Sequence, residues 1–396
     1  MKKYIVIIGD GMADFPIDEI DGKTPLMVAN KPYMDMMARQ GICGRVKTIP
    51  DGFPPGSDVA GMSLFGYDPS SFYTGRAPIE AYGMGIAMDD SDVAFRCNMV
   101  SISSAHGEDI MEDYSGGQIS TEEAGVLIEL LNNSIGRKEF EFFTGVGYRH
   151  IMIWRRGLWE MLTTPPHDIT KKAISEYLPR GTGADALIRL MGISRGLFRD
   201  HPINLQRVAS GKAPVTGIWL WGQGKKASFP LFYERFGLKG ATVAAVDLIK
   251  GISSLAGFDR PFVKGATGYI DTDYSAKAEK ALELLNTHDI VYIHVEAPDE
   301  ASHSGNLKEK IAAIENIDSK IVGPLYKAMP ENTRFLIVTD HATPISLKTH
   351  YACPVPFAIY EKNRERHGFS GGFTEDIGEM VLDGEGLMRL FIEYRD

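Results

Sequence analysis

Three apolar segments of the chain have the pattern of strands buried on both faces of a sheet, and each is followed by acidic residues or histidine. The segments cover residues 4–9, 290–295 and 335–339. The polar residues that follow them are Asp10, then Asp299 and His303, then Asp340 and His341, with His350 shortly afterwards. Because the carboxyl ends of parallel strands meet along one edge of a sheet, we expect these side chains to form one cluster.

Strand and helix patterns alternate in the first and last parts of the chain. A helix is predicted at about 26–40, and a strand at 241–246 is followed by a helix at 247–255. A loop rich in Gly and Pro covers residues 50–57, and Ser57 is predicted to be the N-cap of a helix that begins at Asp58. Such alternation is typical of an α/β fold with a mostly parallel central sheet and helices on both faces.

The middle of the chain has a different character. Strand patterns at 95–102, 141–154 and 161–164 lie among helices, and none of them ends in an acidic cluster. Because Asp10 is near the start while the other acidic and histidine positions follow residue 295, the first and last parts must fold together. We therefore predict one domain of residues 1–92 plus 218–396, interrupted by an inserted α+β domain of residues 93–217.

The composition of the chain argues against some classes of binding partner. The 396 residues carry a formal net charge of −10, which argues against the basic surface of a nucleic-acid-binding protein. The opening apolar stretch stops at Asp10 without a cleavage site for a signal peptidase, and no apolar run is long enough for a membrane span. Three widely spaced cysteines make no disulfide framework, so the expected location is the cytoplasm. The oligomeric state stays open.

The clustered residue types indicate metal chemistry. Asp299 and His303 are four residues apart, so one helical turn would place both on the same face. Oxygen and nitrogen ligands without thiolate suit manganese, zinc, magnesium or iron, and two such ions could hold both sides of an in-line displacement at phosphorus. Ser57, at the start of a helix, is the candidate nucleophile. Taken singly, the Asp–His pair could be a surface pair, Asp10 a turn residue and Ser57 only a cap.

Several motifs together resemble a known family over essentially the whole chain. They are Gly9-Asp10-Gly11-Met-Ala-Asp, Pro55-Gly-Ser57-Asp-Val-Ala, Tyr73-Thr-Gly-Arg76-Ala-Pro-Ile-Glu80-Ala, Glu296-Ala-Pro-Asp299-Glu-Ala-Ser-His303, Asp340-His341-Ala-Thr-Pro and Thr349-His350. In this order they resemble the archaeal-type, cofactor-independent phosphoglycerate mutases of the alkaline phosphatase superfamily.

The resemblance implies an alkaline phosphatase-like α/β sandwich that holds two divalent metal ions. One ion would be bound by Asp10, Ser57, Asp340 and His341, and the other by Asp299, His303 and His350. Manganese is common in this group, while zinc, magnesium, cobalt and iron stay open. Ser57 would become phosphoserine during interconversion of 2- and 3-phosphoglycerate, without a bisphosphoglycerate cofactor. The inserted domain would hold the glycerate.

An anionic phosphorylated substrate needs local positive charge in an acidic protein. The candidates for binding it are Arg76, Arg149, Arg155 and Lys250, because guanidinium groups bind carboxylate and phosphate in a bidentate manner and Lys250 could reach phosphoryl oxygens. His150 is a further candidate beside Arg149, counted with the catalytic residues. His167 and Asp168 could act as acid or base on the acceptor hydroxyl. A surface charge is the alternative for each.

Two other functions remain compatible with these residues. The first keeps the metal site but changes the acceptor, which gives a metal-dependent phosphatase or a homoserine kinase-like phosphotransferase. The second is a non-catalytic metal-binding or regulatory protein with the same fold. The presence of all seven predicted ligands, Ser57 among them, counts against the second.

Overall fold

The computed structural model describes residues 2–105, 107–136, 139–362, 364 and 369–394. It divides into two compact units, one formed by Met1–Tyr73 with Ser228–Asp396 and the other by Thr74–Ala227. The first is called the outer unit and the second the inserted unit. No helix in the described part of the chain combines the length and hydrophobicity needed to cross a bilayer.

The strands are β1 (Tyr4–Gly9), β2 (Ile42–Lys47), β3 (Val93–Ala105), β4 (Glu108–Asp113), β5 (Phe140–Phe143), β6 (Arg149–Trp154), β7 (Met161–Leu162), β8 (Arg180–Gly181), β9 (Gly217–Lys225), β10 (Gly240–Val243), β11 (Ile290–Val295), β12 (Arg334–Val338), β13 (Val355–Glu361) and β14 (Val381–Asp383). The helices are α1 (Pro25–Val28), α2 (Pro32–Gln40), α3 (Ser57–Leu64), α4 (Pro69–Phe72), α5 (Arg76–Gly83), α6 (Thr121–Ser134), α7 (Ala184–Phe198), α8 (Pro202–Ala209), α9 (Phe232–Phe236), α10 (Asp247–Leu255), α11 (Tyr274–Leu284), α12 (Ala297–Ser304), α13 (Leu307–Ile317), α14 (Gly323–Ala328) and α15 (Gly384–Glu393). Short 3₁₀ turns and a π-helical turn at Asp318–Val322 complete the pattern.

The outer unit is built on a seven-stranded sheet with the order β10-β11-β1-β12-β13-β2-β14. The pairs β10–β11, β11–β1, β1–β12 and β2–β14 are parallel, and the two pairs that involve β13 are antiparallel. Every residue of β1, β11 and β12 is buried, as expected for central strands covered on both faces. The predicted mixed α/β fold with a mostly parallel central sheet is confirmed.

Helix positions in the outer unit differ from the prediction at two points. The helix expected at 26–40 is two helices, α1 and α2, because Pro32 disfavours helical backbone at Lys31, whose φ and ψ are −133° and 61°. Ser57 is the first residue of α3, and Gly56 takes the N-cap position. The Ser57 hydroxyl makes no cap hydrogen bond and is available for another contact.

The inserted unit is an antiparallel sheet packed against helices. The long strand β3 pairs with β4, β6 and β9, and β5 extends the sheet beyond β6. Its core includes Phe95, Trp219 and Phe198, and a second small apolar cluster lies around Ala77 and Ile151. The α+β character expected for this part of the chain is present.

The unit boundaries lie at 73/74 and 227/228, where the sequence predicted 92/93 and 217/218. Two elements explain the difference. Helix α5 packs on β3 and β9, so it belongs to the inserted unit although it precedes β3 in the chain. Strand β9 runs through the predicted second boundary and pairs with β3 from Gly217 to Lys225, with one register shift opposite Ala94–Arg96.

Candidate metal centre and basic cluster

The strand order brings the predicted metal ligands together at one sheet edge. Strand β1 lies between β11 and β12, parallel to both, so the residues that follow the three strands emerge side by side. Asp10 follows β1, Asp340 and His341 come two and three residues after β12, and α12 carries Asp299 and His303 just beyond β11. The predicted cluster therefore exists in the outer unit.

One group of donor atoms consists of Asp10, Asp340 and His341, whose ligand atoms all lie within 4.8 Å of one another. His341 Nε2 is 3.4 Å from Asp10 Oδ1 and 3.2 Å from Asp340 Oδ2. The Ser57 Oγ atom lies 3.0 Å from the same His341 Nε2. The predicted nucleophile thus stands at the start of α3, against the carboxylate–imidazole group.

A second group surrounds Asp299. His303 Nε2 is 3.0 Å from Asp299 Oδ2, and His350 Nε2 is 3.6 Å from Asp299 Oδ1. The two Nε2 atoms of His303 and His350 are 3.1 Å apart. His341 also reaches Asp299 and His350 with donor atoms within 4.8 Å, so its imidazole is common to both groups.

Burial and mutual repulsion perturb the acidic groups strongly. Burial, followed by the charges of Asp340 and Asp299, raises the pKa of Asp10 well above the ordinary aspartate value. Burial also raises the pKa of Asp340. Burial opposes ionisation of Asp299, yet hydrogen bonds from His303 and His350 hold its pKa well below the usual range. Negative charge packed this densely needs compensation by cations.

The residues present fit divalent metal ions. Both carboxylate oxygens of Asp10 and Oδ2 of Asp340 are buried, and no described residue donates a hydrogen bond to them. Buried polar atoms are rarely left without hydrogen bonds, so these oxygens are suited to a cation. Carboxylate oxygens and imidazole nitrogens without thiolate are the donors that manganese, zinc, magnesium and iron accept.

Two residues of the cluster were missed by the sequence analysis. His294 is on β11, with Nε2 3.2 Å from Asp10 Oδ2 and Nδ1 3.8 Å from Glu296 Oε2. With Asp10 they make a third group of donor atoms within 4.8 Å. The sequence contained a signal for these two residues. His294 and Glu296 are two residues apart at the end of an apolar strand pattern, and residues at that spacing lie on the same face of a strand.

The inserted unit holds a separate, basic cluster around Glu80. Arg76 Nε is 2.8 Å from Glu80 Oε1, and Arg96 Nε is 2.9 Å from Glu80 Oε2. Burial opposes ionisation of Glu80, but Arg96, Arg76 and Arg149 hold its pKa below the ordinary glutamate value. Three guanidinium groups thus act on one buried carboxylate. Arg96 was not predicted, although a lone Arg in an apolar strand is a usable signal.

Aromatic rings connect this basic cluster to His167. The Arg96 guanidinium lies 4.6 Å from the centre of the Trp221 ring, and the His167 ring lies 5.4 Å from the same ring. Asn98 Oδ1 accepts a hydrogen bond from the Trp221 indole nitrogen at 3.0 Å. Asp168 Oδ1 is 3.7 Å from His167 Nε2, and both side chains are exposed. Arg96 is therefore joined to Arg76 through Glu80 and to His167 through the Trp221 ring. Arg149 is linked to the cluster by the effect of its charge on the pKa of Glu80.

Three other predicted residues have different surroundings. Arg155 donates to Glu141 and Asp92, so its guanidinium is engaged in ion pairs within the inserted unit. His150 is buried, its Nδ1 accepts a hydrogen bond from the Gly145 N–H, and burial lowers its pKa to about 3. Lys250 Nζ lies 3.4 Å from Asp247 Oδ1 on α10. The low pKa of His150 means that its imidazole is neutral near pH 7.

The fold and the site define a class of protein: a mixed α/β protein with a serine hydroxyl beside a buried carboxylate–imidazole centre. The family model described as 2,3-bisphosphoglycerate-independent phosphoglycerate mutase matches residues 38–204. A probable 2,3-bisphosphoglycerate-independent phosphoglycerate mutase of Geobacter sulfurreducens is 49% identical over 99% of this chain and 100% of its own length. The corresponding mutase of Methanosarcina barkeri is 50% identical over 94% of each chain.

Two solved structures are similar to this chain along nearly its whole length. The PH0037 protein from Pyrococcus horikoshii is 29% identical, covers 99% of this chain and 97% of its own, and has a TM-score of 0.83. The cofactor-independent phosphoglycerate mutase from Thermoplasma acidophilum is 26% identical, covers 99% of both chains, and has a TM-score of 0.64. This chain belongs to the 2,3-bisphosphoglycerate-independent phosphoglycerate mutase family.

Proposed function

We propose that this protein interconverts 2-phosphoglycerate and 3-phosphoglycerate through a phosphoserine at Ser57, without 2,3-bisphosphoglycerate. The observation that carries the proposal is the Ser57 hydroxyl, 3.0 Å from His341 Nε2 and beside the buried Asp10–Asp340 pair. The names of the relatives at 49–50% identity supply the reaction. We place this glycolytic step in the cytoplasm, in agreement with three cysteines that are all free.

The transfer takes two steps of the same kind. In the first, Ser57 Oγ loses its proton and forms a bond to phosphorus while the bond from phosphorus to the glycerate oxygen breaks, and that oxygen takes up a proton. In the second, the other hydroxyl of the same glycerate loses its proton and bonds to phosphorus while the bond from phosphorus to Ser57 Oγ breaks, and Oγ takes up a proton. Because Ser57 is the first residue of α3, backbone N–H groups of the first turn would donate to oxygens of a phosphoryl group on Ser57.

Two divalent ions, in our proposal manganese, would be held by the chain's own clusters. Asp10, Ser57, Asp340 and His341 are the ligands proposed for one ion, and Asp299, His303 and His350 for the other. When bound, the ions supply positive charge that lowers the pKa of the serine hydroxyl and stabilises charge on the phosphoryl group.

The inserted unit is proposed to bind the glycerate during the transfer. Its cluster of Arg76, Arg96 and Arg149 around Glu80 has the charge to bind a carboxylate, as the reaction requires of a protein with net charge −10. His167, with Asp168 at 3.7 Å, is the proposed acid or base for the glycerate hydroxyl. Arg155, through its ion pairs with Glu141 and Asp92, and the buried His150 are proposed to stabilise this unit.

The test is incubation of manganese-loaded protein with 3-phosphoglycerate alone, followed by simultaneous measurement of 2-phosphoglycerate and free phosphate. We expect interconversion without phosphate release, and its loss in Ser57→Ala. The matched control is Ser63→Ala on the same helix, whose hydroxyl donates to the Thr48 carbonyl and should be dispensable for activity. Mutase activity retained in Ser57→Ala would refute the role of Ser57.

The same assay separates the other acceptors. Phosphate release without 2-phosphoglycerate would indicate a phosphatase, in which water attacks phosphoserine. If neither product forms, homoserine with a nucleotide is the next substrate pair to supply. Phosphate release alone, or phosphoryl transfer from the nucleotide to homoserine, would replace the mutase proposal. The proposed metal site would stay the same in both cases.

A further inference from the structure

The hydroxyl of Thr343 lies between ligands assigned to different metal ions. Its Oγ1 donates to Asp299 Oδ1 at 2.6 Å and lies 3.1 Å from His341 Nδ1. Asp299 belongs with His303 and His350, whereas His341 belongs with Asp10 and Asp340. Thr343 is completely buried, and it precedes Pro344 in the loop after β12. One hydroxyl therefore contacts both proposed ligand sets.

The single proton of the Thr343 hydroxyl determines which ring nitrogen of His341 carries a proton. A threonine hydroxyl has one proton to donate, and that proton goes to Asp299. In the contact with His341, Thr343 Oγ1 must then accept from Nδ1–H. A neutral imidazole protonated at Nδ1 has its free lone pair at Nε2, the atom that faces Ser57, Asp10 and Asp340. This is the tautomer that can bind a cation at that side.

The backbone around Thr343 fixes the hydroxyl in place. Its N–H donates to the Ala13 carbonyl at 3.1 Å, and its own carbonyl accepts from Lys310 Nζ at 3.0 Å. Gly11 has a φ of +62°, and a Cβ there would stand 2.6 Å from Thr343 Oγ1 and 2.7 Å from Asp299 Oδ1. Because residue 11 is a glycine, the loop after β1 leaves room for the contact between Thr343 and Asp299. The buried ammonium group of Lys310 holds the loop that carries Thr343.

We infer that Thr343 is a positioning residue that orients Asp299 and His341 together and thereby couples the two metal sites. The inference rests on the proposed function only in taking these two residues as metal ligands. Hydrogen bonds from outside the ligand set typically orient ligating histidines and carboxylates, and their loss weakens metal binding by roughly 10–100-fold. Here a single hydroxyl would do this for both ions.

The test is a titration of metal-free protein with Mn²⁺, followed by calorimetry, with no phosphorylated substrate present. Wild type should bind two ions. Thr343→Val should weaken both sites by roughly 10–100-fold. Thr343→Ser, which keeps the hydroxyl, should stay close to wild type. The matched control is Thr339→Val, because the Thr339 hydroxyl is also buried but bonds only to backbone groups of Met12 and His341.

A purely structural role would lower the melting temperature of both valine variants alike and would leave the affinities of the folded proteins unchanged. Unchanged affinity at both sites, or weakening of one site alone, would overturn the inference. A measurement on wild type is independent of folding in the variants: ¹⁵N NMR of the metal-free protein should show His341 protonated at Nδ1, and protonation at Nε2 alone would overturn it. If wild type binds two ions without converting phosphoglycerates, only the proposed function fails.

Discussion

The two clusters of ionisable residues in this protein are built in opposite ways. In the outer unit, the carboxylates Asp10, Asp299 and Asp340 lie together without a Lys or Arg paired to any of them among the described residues, and imidazoles fill the remaining positions. In the inserted unit, one carboxylate, Glu80, is paired with Arg76 and Arg96. Carboxylates predominate in the first cluster and guanidinium groups in the second.

This difference is the basis for the ligand that we propose for each cluster. Buried carboxylates whose oxygens lack hydrogen bonds are costly unless a cation compensates them, so the outer cluster suits metal ions. Guanidinium groups that outnumber their carboxylate suit an anion such as the carboxylate of glycerate. The overall charge of −10 describes neither cluster. Local arrangement, and not net charge, determines the ligand.

The largest expected effect comes from changing the charge of the outer cluster. Asp10→Asn keeps the shape of the side chain but removes a negative charge from the centre of the group. We expect activity to fall by roughly three orders of magnitude, which corresponds to about 4 kcal/mol of transition-state stabilisation. Activity assays with a parallel measurement of bound Mn²⁺ check this. Activity near the wild-type level would show that the outer cluster does not act as a metal centre.

A smaller effect is expected in the inserted unit, where two predicted substrate residues can be compared directly. Arg149→Gln removes a guanidinium near Glu80 and should raise KM roughly 10–100-fold, because a charged hydrogen bond contributes about 1.5–3 kcal/mol. Arg155→Gln removes ion pairs with Glu141 and Asp92 and should lower the melting temperature with little change in KM. Steady-state kinetics and thermal unfolding measure the two effects. The reverse pattern would assign the glycerate to Arg155.

The smallest effect on activity is expected for a buried carboxylate outside both clusters. Asp318 accepts hydrogen bonds from the Met34 and Tyr33 N–H groups, and burial raises its pKa to about 6. The folded protein therefore binds this proton more tightly than the unfolded chain does, so the stabilising contribution is present below about pH 4 and is lost as the pH rises towards 6. In Asp318→Asn this titration disappears.

Urea unfolding of the metal-free proteins at several pH values measures the consequence. The stability of Asp318→Asn relative to wild type should increase between pH 4 and pH 7, while turnover at saturating Mn²⁺ and substrate should stay near wild type. A difference in unfolding free energy that does not change with pH would contradict the assignment. Protonation of Asp318 would then make no contribution to the stability of the folded protein.

Much of the fold and of the outer cluster could be predicted from the sequence. Short apolar runs followed by Asp and His indicated β1, β11 and β12, and parallel strands necessarily bring their carboxyl ends to one edge. His294 was overlooked because it lies within a strand and not after it. The roles of the basic residues in the inserted unit were harder to predict, since Arg149 and Arg155 flank the same apolar run, 151–154, and only the structure shows the ion pairs of Arg155.

The sequence by itself determined that Asp10, Asp340 and His341 would follow buried strands and meet at their carboxyl ends, because parallel strands share that end of the sheet. The contact of Ser57 with this group was decided by the tertiary structure. Tertiary structure alone decided that Glu80 would be shared by Arg76 and Arg96, that Arg155 would be bound by Asp92 and Glu141, and that Thr343 would join Asp299 to His341. Some of these contacts join residues that are far apart in the chain. Others depend on side-chain torsion angles and on the direction in which the Thr343 hydroxyl proton points. Such geometry follows from packing, which no local pattern encodes.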